Sequence, residues 1–300
     1  MPCGGDAGVP MYLSYYGFDD LPFRITPDTK YLFFTPQYEA ALDSLKYAIT
    51  QRMGFAVLTG EVGTGKTTLS RHLLAQLGPD VETALLINPF LSVPELLQAI
   101  NKDFGIALRA LSPERQMQAL NKYLLALHTE GRTALVVIDE SQNLSIEALE
   151  MVRMLSNLET ERAKLIQILL VGQPELDSKL LRHELRQLRQ RVSVHMRLSP
   201  LTMPEMVRYI THRMLLAGGR GQVNFEPAAY RALYRLTKGL PRLVNLLCDR
   251  ALTAAYAVGA PSVTKRHVKQ AYADLRLGQL YSNGWGFWRK LGKLTTHVGW

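Results

Sequence analysis

The segment Gly60-Glu-Val-Gly-Thr-Gly-Lys-Thr67 constrains this chain more than any other. It matches GxxxxGK[ST], a pattern that works only between a buried strand and the start of a helix. Both flanks fit. Phe55–Thr59 is a short apolar run, and Thr67–Leu77 has helical spacing. In such a loop the glycines let backbone N–H groups turn inward around an anion, and the helix N-terminus adds its dipole. Gly60, Glu61, Val62, Gly63, Thr64, Gly65, Lys66, Thr67 and Thr68 are therefore expected to surround the phosphates of a nucleotide. Lys66 reaches the β- and γ-phosphates, and the Thr67 hydroxyl faces a metal. ATP and Mg²⁺ are the ligands this chemistry predicts.

The surrounding pattern has the alternation that such a loop needs. A helix is expected from Thr35-Pro36 to about Arg52, buried through Ala40, Leu42, Leu45, Ala48 and Ile49. Strands are expected at Thr83–Ile87, Ala134–Ile138, Leu165–Val171 and Val192–Leu198. Helices are expected at Val93–Phe104, Pro113–His128, Ile146–Asn157 and Pro174–Leu188. Apolar strands separated by helices imply an α/β fold, a parallel sheet covered on both faces. After Pro200 only helices are expected. Thr202-Met-Pro-Glu205 reads as a capping box opening a helix to about Ala217, and Pro227–Thr237, Pro241–Val258 and Thr264–Leu277 follow.

Four further places carry candidate chemistry. The strand Ala134–Ile138 closes in Asp139-Glu140. Asp139 is placed to hold Mg²⁺, and Glu140 to orient and deprotonate an attacking water. Gln173 ends the next buried strand, where ligands of such sheets sit, and so faces the γ-phosphate or the water. Asn88 also ends a strand; it either bonds Glu140 or simply forms the turn before Pro89. The Arg-rich run LRHELRQLRQR offers Arg191, then Arg189 and Arg186, as an arginine finger for a neighbouring subunit. Arg242, at the start of a helix, is positioned to reach across to the nucleotide. A cation there is mildly unfavourable for the helix itself.

Composition narrows the class. Three hundred residues allow a large and a small domain, and 47% apolar content with 20% charge is that of a globular protein. The two cysteines, Cys3 and Cys248, make no disulfide framework and no zinc site. A net charge of +9 suits a polyanion, nucleic acid or an anionic membrane face. MPCGGDAGVP lacks the regions of a secretory signal, and no apolar run approaches the ~20 residues that span a bilayer. A cytoplasmic location, at most peripheral to the inner membrane, is expected.

With these residues assembled, the chain resembles an AAA+ ATPase. It is similar, more narrowly, to the A-component ATPases of general (type II) secretion and their relatives of pilus biogenesis and exosortase-linked polysaccharide export. The segments that carry the resemblance are MYLSYYGFDDLPFRITPD, GFAVLTGEVGTGKTTLSRHLL, ALVVIDESQNLS, LLVGQPEL, LRQLRQRVSVHMRLSPL and GLPRLVNLLCDRALTAAY. The resemblance implies Walker B roles for Asp139 and Glu140, sensor 1 for Gln173, the finger near Arg191 and sensor 2 at Arg242. It implies a three-layer αβα nucleotide-binding domain over residues 31–200 and a helical lid over 201–277. Residues 1–30 would form a leader and an extended strap over the next domain, and 278–300 a basic aromatic tail. It also implies homo-oligomers with sites shared between subunits, and partners among inner-membrane secretion or pilus components. Secretion members typically continue into a transmembrane helix and a peptidoglycan-binding domain, so a form of the pilus or export type, or a truncation, is expected. Trp285, Trp288 and Leu291 recur at helical spacing beside Arg289, Lys290 and Lys293, as an interfacial anchor or a docking segment would. The alternative function is a DNA-binding regulator of the transposition-helper type, with the same AAA+ core.

Overall fold

The computed structural model describes residues 12–26, 29–87, 90–107, 112–161 and 163–275. They form two compact units, one of residues up to Thr26 together with those from Leu201 onward, the other of Pro27–Pro200. In chain order the elements are α1 (Tyr12–Tyr16), α2 (Pro36–Thr50), β1 (Phe55–Gly60), α3 (Lys66–Gln76), β2 (Val81–Leu86), α4 (Val93–Asp103), α5 (Pro113–Thr129), β3 (Thr133–Ile138), α6 (Ile146–Leu155), β4 (Ile166–Gly172), α7 (Pro174–Leu180), α8 (Arg186–Arg191), β5 (Val192–Leu198), α9 (Met203–Leu216), β6 (Asn224–Phe225), α10 (Pro227–Thr237), α11 (Pro241–Ala257), β7 (Ser262–Val263) and α12 (265–275).

In the middle unit five strands run parallel in the order β2-β3-β4-β1-β5. Their side chains divide between two apolar layers with the period of two that a strand imposes. Phe55, Val57, Ala134, Val136, Ile138, Ile166, Ile168 and Leu170 enter one layer with α4, α5, α6, α7 and α8. Ala56, Leu58, Leu135, Val137, Leu169 and Val171 enter the other with α2 and α3. Both faces are covered, which is why these strands read as unbroken apolar runs. Thr35 caps α2, its hydroxyl accepting from the Tyr38 N–H at 3.1 Å. The expected buried face of that helix is corrected at one position. Ala40 is exposed, and Tyr38 and Ala41 are buried in its place.

The single helix expected at Pro174–Leu188 is broken into α7, a 3-10 turn at His183–Leu185 and α8. Leu176, Leu180, Leu185 and Leu188 are all buried in one layer. The steps 176→180 and 185→188 keep helical phase, but 180→185 does not. The chain goes extended at Arg182 (φ −64°, ψ 148°) so that both leucine pairs face the same core.

The other unit is nearly all helical. Thr202 and Glu205 form the expected capping box on α9. A parallel bridge of β6 with β7 corrects the reading that only helices follow Pro200. The larger correction concerns the N-terminal segment. Residues 12–26 are not a separate extended strap. They open in α1 and complete the core of this helical unit, where Tyr12, Tyr16, Phe18 and Phe23 are buried. The aromatic side chains bury most of their area while their hydroxyls find partners. Tyr12 donates to Asp249 Oδ1 at 2.6 Å and Tyr16 to the Ala260 carbonyl at 2.9 Å. Arg213, itself buried, donates to the carbonyls of Pro22 and Arg24 at 2.5 and 3.2 Å and fixes the end of the segment. Cys248 is a free buried cysteine of this unit, and burial pushes its thiol pKa up. Among the described residues no helix is long and apolar enough to cross a membrane. Cys3, the leader and the aromatic tail lie outside the described residues.

Candidate active site

β1, β3 and β4 end side by side, with Thr59 opposite Gly172 and Ile138 opposite Leu170. The loop after β1 therefore meets the turns after β3 and β4 at the carboxyl edge of the sheet, where open α/β folds bind ligands. Gly65 precedes α3 with φ +101°, a conformation that side chains resist. It delivers Lys66 into the helix start. Thr64 ties the loop to itself, its hydroxyl donating to the Glu61 carbonyl at 2.9 Å. Glu61 and Val62 are exposed, and Thr64 and Lys66 are buried.

Lys66 is only 6% exposed. Its Nζ donates to the carbonyls of Gly60 and Glu61 at 2.7 and 3.0 Å. Burial lowers its pKa, and the charges of Glu140, Asp139, Glu61 and Glu175 oppose that fall. Thr67 Oγ1 donates to Asp139 Oδ2 at 2.8 Å, so the two residues expected at the metal already share one place. Asp139, 3% exposed, also accepts the Glu140 N–H on Oδ1 at 2.9 Å.

Glu140 stands apart from that pair. Its backbone is left-handed, φ 55° and ψ 36°. For a non-glycine residue this stores about 1–3 kcal/mol, and such strain persists only where neighbours impose it. Here Ser141 Oγ donates to the Ile138 carbonyl at 2.6 Å and holds the turn. The Glu140 carboxylate accepts from Gln142 Nε2 at 2.5 Å and from Gln173 Nε2 at 2.9 Å, both on Oε2. Burial alone would raise its pKa, but the two amide donors and the Lys66 charge bring it below the usual carboxylate value.

The structure thus gathers Lys66, Thr67, Asp139, Glu140 and Gln173 into one cluster. Two expected members belong to other elements. Arg191 is half-buried and donates to Ser156 Oγ at 2.6 Å and to the Arg153 carbonyl at 3.4 Å, tying down the end of α6. Its neighbours Arg186 and Arg189 are exposed. Arg242 is exposed in the first turn of α11, in the helical unit. Asn88 is outside the described residues. Gln142 is a member that sequence reasoning missed. Its only signal was an amide two places beyond the carboxylate pair.

Residues 49–180 match the family described as AAA domain. The chain is similar over this span to AAA proteins, and over a longer one to the A-component of general secretion. It is 40% identical over 262 residues to general secretion pathway protein A of Aeromonas hydrophila. The match takes in 87% of this chain and 48% of that protein, so the chain spans about half the relative's length. Solved structures share the fold at low identity. Cdc6p of Pyrobaculum aerophilum aligns with a TM-score of 0.64 at 18% identity, covering 85% of this chain and 71% of that one. The ORC2 protein of Aeropyrum pernix aligns at 0.60 and 20%, with the same two coverages. The Walker-type ATPase of Pyrococcus abyssi aligns at 0.56 and 15%, over 91% of this chain and 81% of its own. The fold is that of P-loop ATPases, and the cluster at the ends of β1, β3 and β4 lies within the span that matches the AAA domain.

Proposed function

We propose that this AAA+ protein binds ATP with Mg²⁺ and hydrolyses it, and that the turnover drives a secretion, pilus or polysaccharide-export machine at the cytoplasmic face of the inner membrane. One observation carries the hydrolytic part. Glu140 is a separate carboxylate beside the Thr67–Asp139 pair, set on a left-handed turn and held below the usual carboxylate pKa by the amide donors of Gln173 and Gln142. A protein that only held nucleotide would need Lys66, Thr67 and Asp139, but no second base.

Thr67 and Asp139 fit Mg²⁺, which takes few protein ligands and completes its shell with waters and phosphates. Bound there, the ion would neutralise charge on the phosphates. Lys66 would bind the same phosphates, Glu140 would accept the proton of the attacking water, and Gln173 would hold Glu140 in register with them. Lys66→Ala should abolish nucleotide binding. Glu140→Gln should keep binding and lose turnover by orders of magnitude, since a general base contributes roughly 10²–10⁴-fold. Normal hydrolysis by Glu140→Gln would refute the base.

The relationship to general secretion pathway protein A supports the secretion part, and the relative's greater length leaves the partners of the remainder as a proposal. We further place the active sites between subunits of a homo-oligomer. Arg242 would act from the helical unit. Arg189 or Arg186 would supply the arginine finger, because Arg191 is already engaged with α6.

A second reading keeps one observation in its favour. The basic charge is unevenly placed. Residues 201–275 hold eleven Lys and Arg against four Asp and Glu, whereas residues 27–200 hold nineteen of each. Arg231 and Arg235 recur on one exposed face of α10, and exposed Lys238 caps its end. Tight DNA binding by the chain, falling steeply between ~50 and ~200 mM salt, would favour a DNA-binding regulator over the secretion ATPase.

A further inference from the structure

Gln142 lies in the 3-10 turn Ser141–Asn143 that follows Asp139-Glu140. Its side-chain amide faces two partners of opposite kind. Oε1 accepts the backbone N–H of Gln173 at 3.0 Å, and Nε2 donates to Glu140 Oε2 at 2.5 Å. An N–H is met only by the amide oxygen, and a carboxylate only by the amide nitrogen, so the orientation of this amide is fixed from both ends. Gln173 closes the ring by donating its own Nε2 to the same Oε2. Glu140 Oε1 accepts no hydrogen bond among the described residues.

The surroundings hold this ring in place. Lys179 Nζ donates to the carbonyls of Gln142 and Leu144, each at 2.6 Å, and so pins the turn to α7. At the end of β4, a Cβ on Gly172 would come within 3.1 Å of Gln142 Oε1 and 2.8 Å of Leu176 Cδ2. A side chain at Gly172 would therefore crowd the Gln142 amide.

Resting on the assignment of Glu140 as the base, we infer that Gln142 is a positioning residue: it links the Glu140 carboxylate to the backbone at Gln173, so that the turn after β4 and the base move as one. It leaves Oε1 of Glu140 as the oxygen that takes the proton, and it makes the base answer to whatever shifts Gln173.

The test uses the full chain. Gln142→Met keeps the volume and removes both hydrogen bonds. Nucleotide affinity and the KM for ATP should stay within about twofold, while kcat falls about 10- to 100-fold, the worth of a hydrogen bond to a charged group. Gln142→Glu keeps an acceptor for the Gln173 N–H but sets a like charge against Glu140, and its kcat should fall at least as far. In a Glu140→Gln background, adding Gln142→Met should leave single-turnover hydrolysis unchanged, because the residue acts only through Glu140. Near-normal kcat in both Gln142 variants, with Glu140→Gln inactive, overturns the inference and spares the base. So does an equal additional loss in the Glu140→Gln background, the mark of a purely structural part. Normal turnover by Glu140→Gln itself removes the base instead. Should Gln142→Met fail to bind nucleotide, Gln142→Glu decides by the same criteria.

Discussion

Gly60 closes β1 where it turns into the phosphate loop, and replacing it by alanine tests whether packing there sets the site. Its backbone is paired with Leu198 on β5. A methyl added at Gly60 would sit 2.6 Å from the Leu198 carbonyl oxygen, 2.9 Å from Thr64 Oγ1 and 3.3 Å from Leu198 Cβ. The nearest of these atoms is backbone, held in the last rung of the sheet, and cannot swing aside. Thr64 is the residue whose hydroxyl ties the loop to the Glu61 carbonyl. The strain must therefore open the β1–β5 edge or push the loop outward. Overpacking of this kind costs roughly 1–3 kcal/mol. For a unit of this size that lowers Tm by about 2–4 °C per kcal/mol. Displacement of the loop should also weaken nucleotide binding by about tenfold or more. Far-UV circular dichroism on heating reads the first effect, and titration with a fluorescent ATP analogue reads the second. Gly78→Ala is the control, since that glycine has open space around it and should melt within roughly 0.5 kcal/mol of the wild type. A Gly60→Ala variant with wild-type Tm and wild-type nucleotide affinity would refute the packing argument.

Two further outcomes separate structural arginines and caps from functional ones. Arg191→Ala should lower stability by about 1 kcal/mol, because it removes the donors to Ser156 and Arg153, whereas Arg189→Ala and Arg186→Ala should leave the melt unchanged and one of them should cut oligomer-dependent turnover; equal melts for all three variants would contradict the capping part given to Arg191. Thr202→Ala should cost about 1 kcal/mol through loss of the α9 capping box. The Glu205 carboxylate of that box is held below its ordinary pKa by the Thr202 hydroxyl first and its N–H second, so its contribution is complete above the unfolded carboxylate value and is lost as pH falls through the lowered one. Thermal melts of wild type and Thr202→Ala should thus converge on acidification, and a constant gap across that window would contradict the assignment.

Local chemistry was legible in the chain. The phosphate loop needs only eight consecutive residues, and its conformation follows from where the glycines fall. The capping box at Thr202 and the apolar strands likewise depend on neighbours a few places away, which is why their bounds shift by only one or two residues in the structure. Binary patterning was weaker where two phases meet. Ala40 and Ala41 are equally apolar, and only the placing of α2 on the sheet decided that Ala41 is the one covered. The leucines from Leu176 to Leu188 were plain as apolar positions, but the break at Arg182 follows from the demand that all four reach one core.

What the tertiary structure alone decided are contacts between residues far apart in the chain. Asp139-Glu140 could be read as a carboxylate pair, but the left-handed turn that separates their duties depends on the packing around Ile138 and Ser141. Gln142 carries no motif, and its meeting with Gln173 exists because β3 and β4 are adjacent and in register. Arg191 stood in the right run for a finger, yet α6 brought Ser156 within reach of it. The aromatic N-terminal segment was visibly apolar, but sequence could not say which core it completes, since burial has no direction along the chain. That choice fell to Asp249, Ala260 and Arg213, more than 180 residues away, whose polar groups satisfy the tyrosine hydroxyls and backbone carbonyls that the segment carries inside.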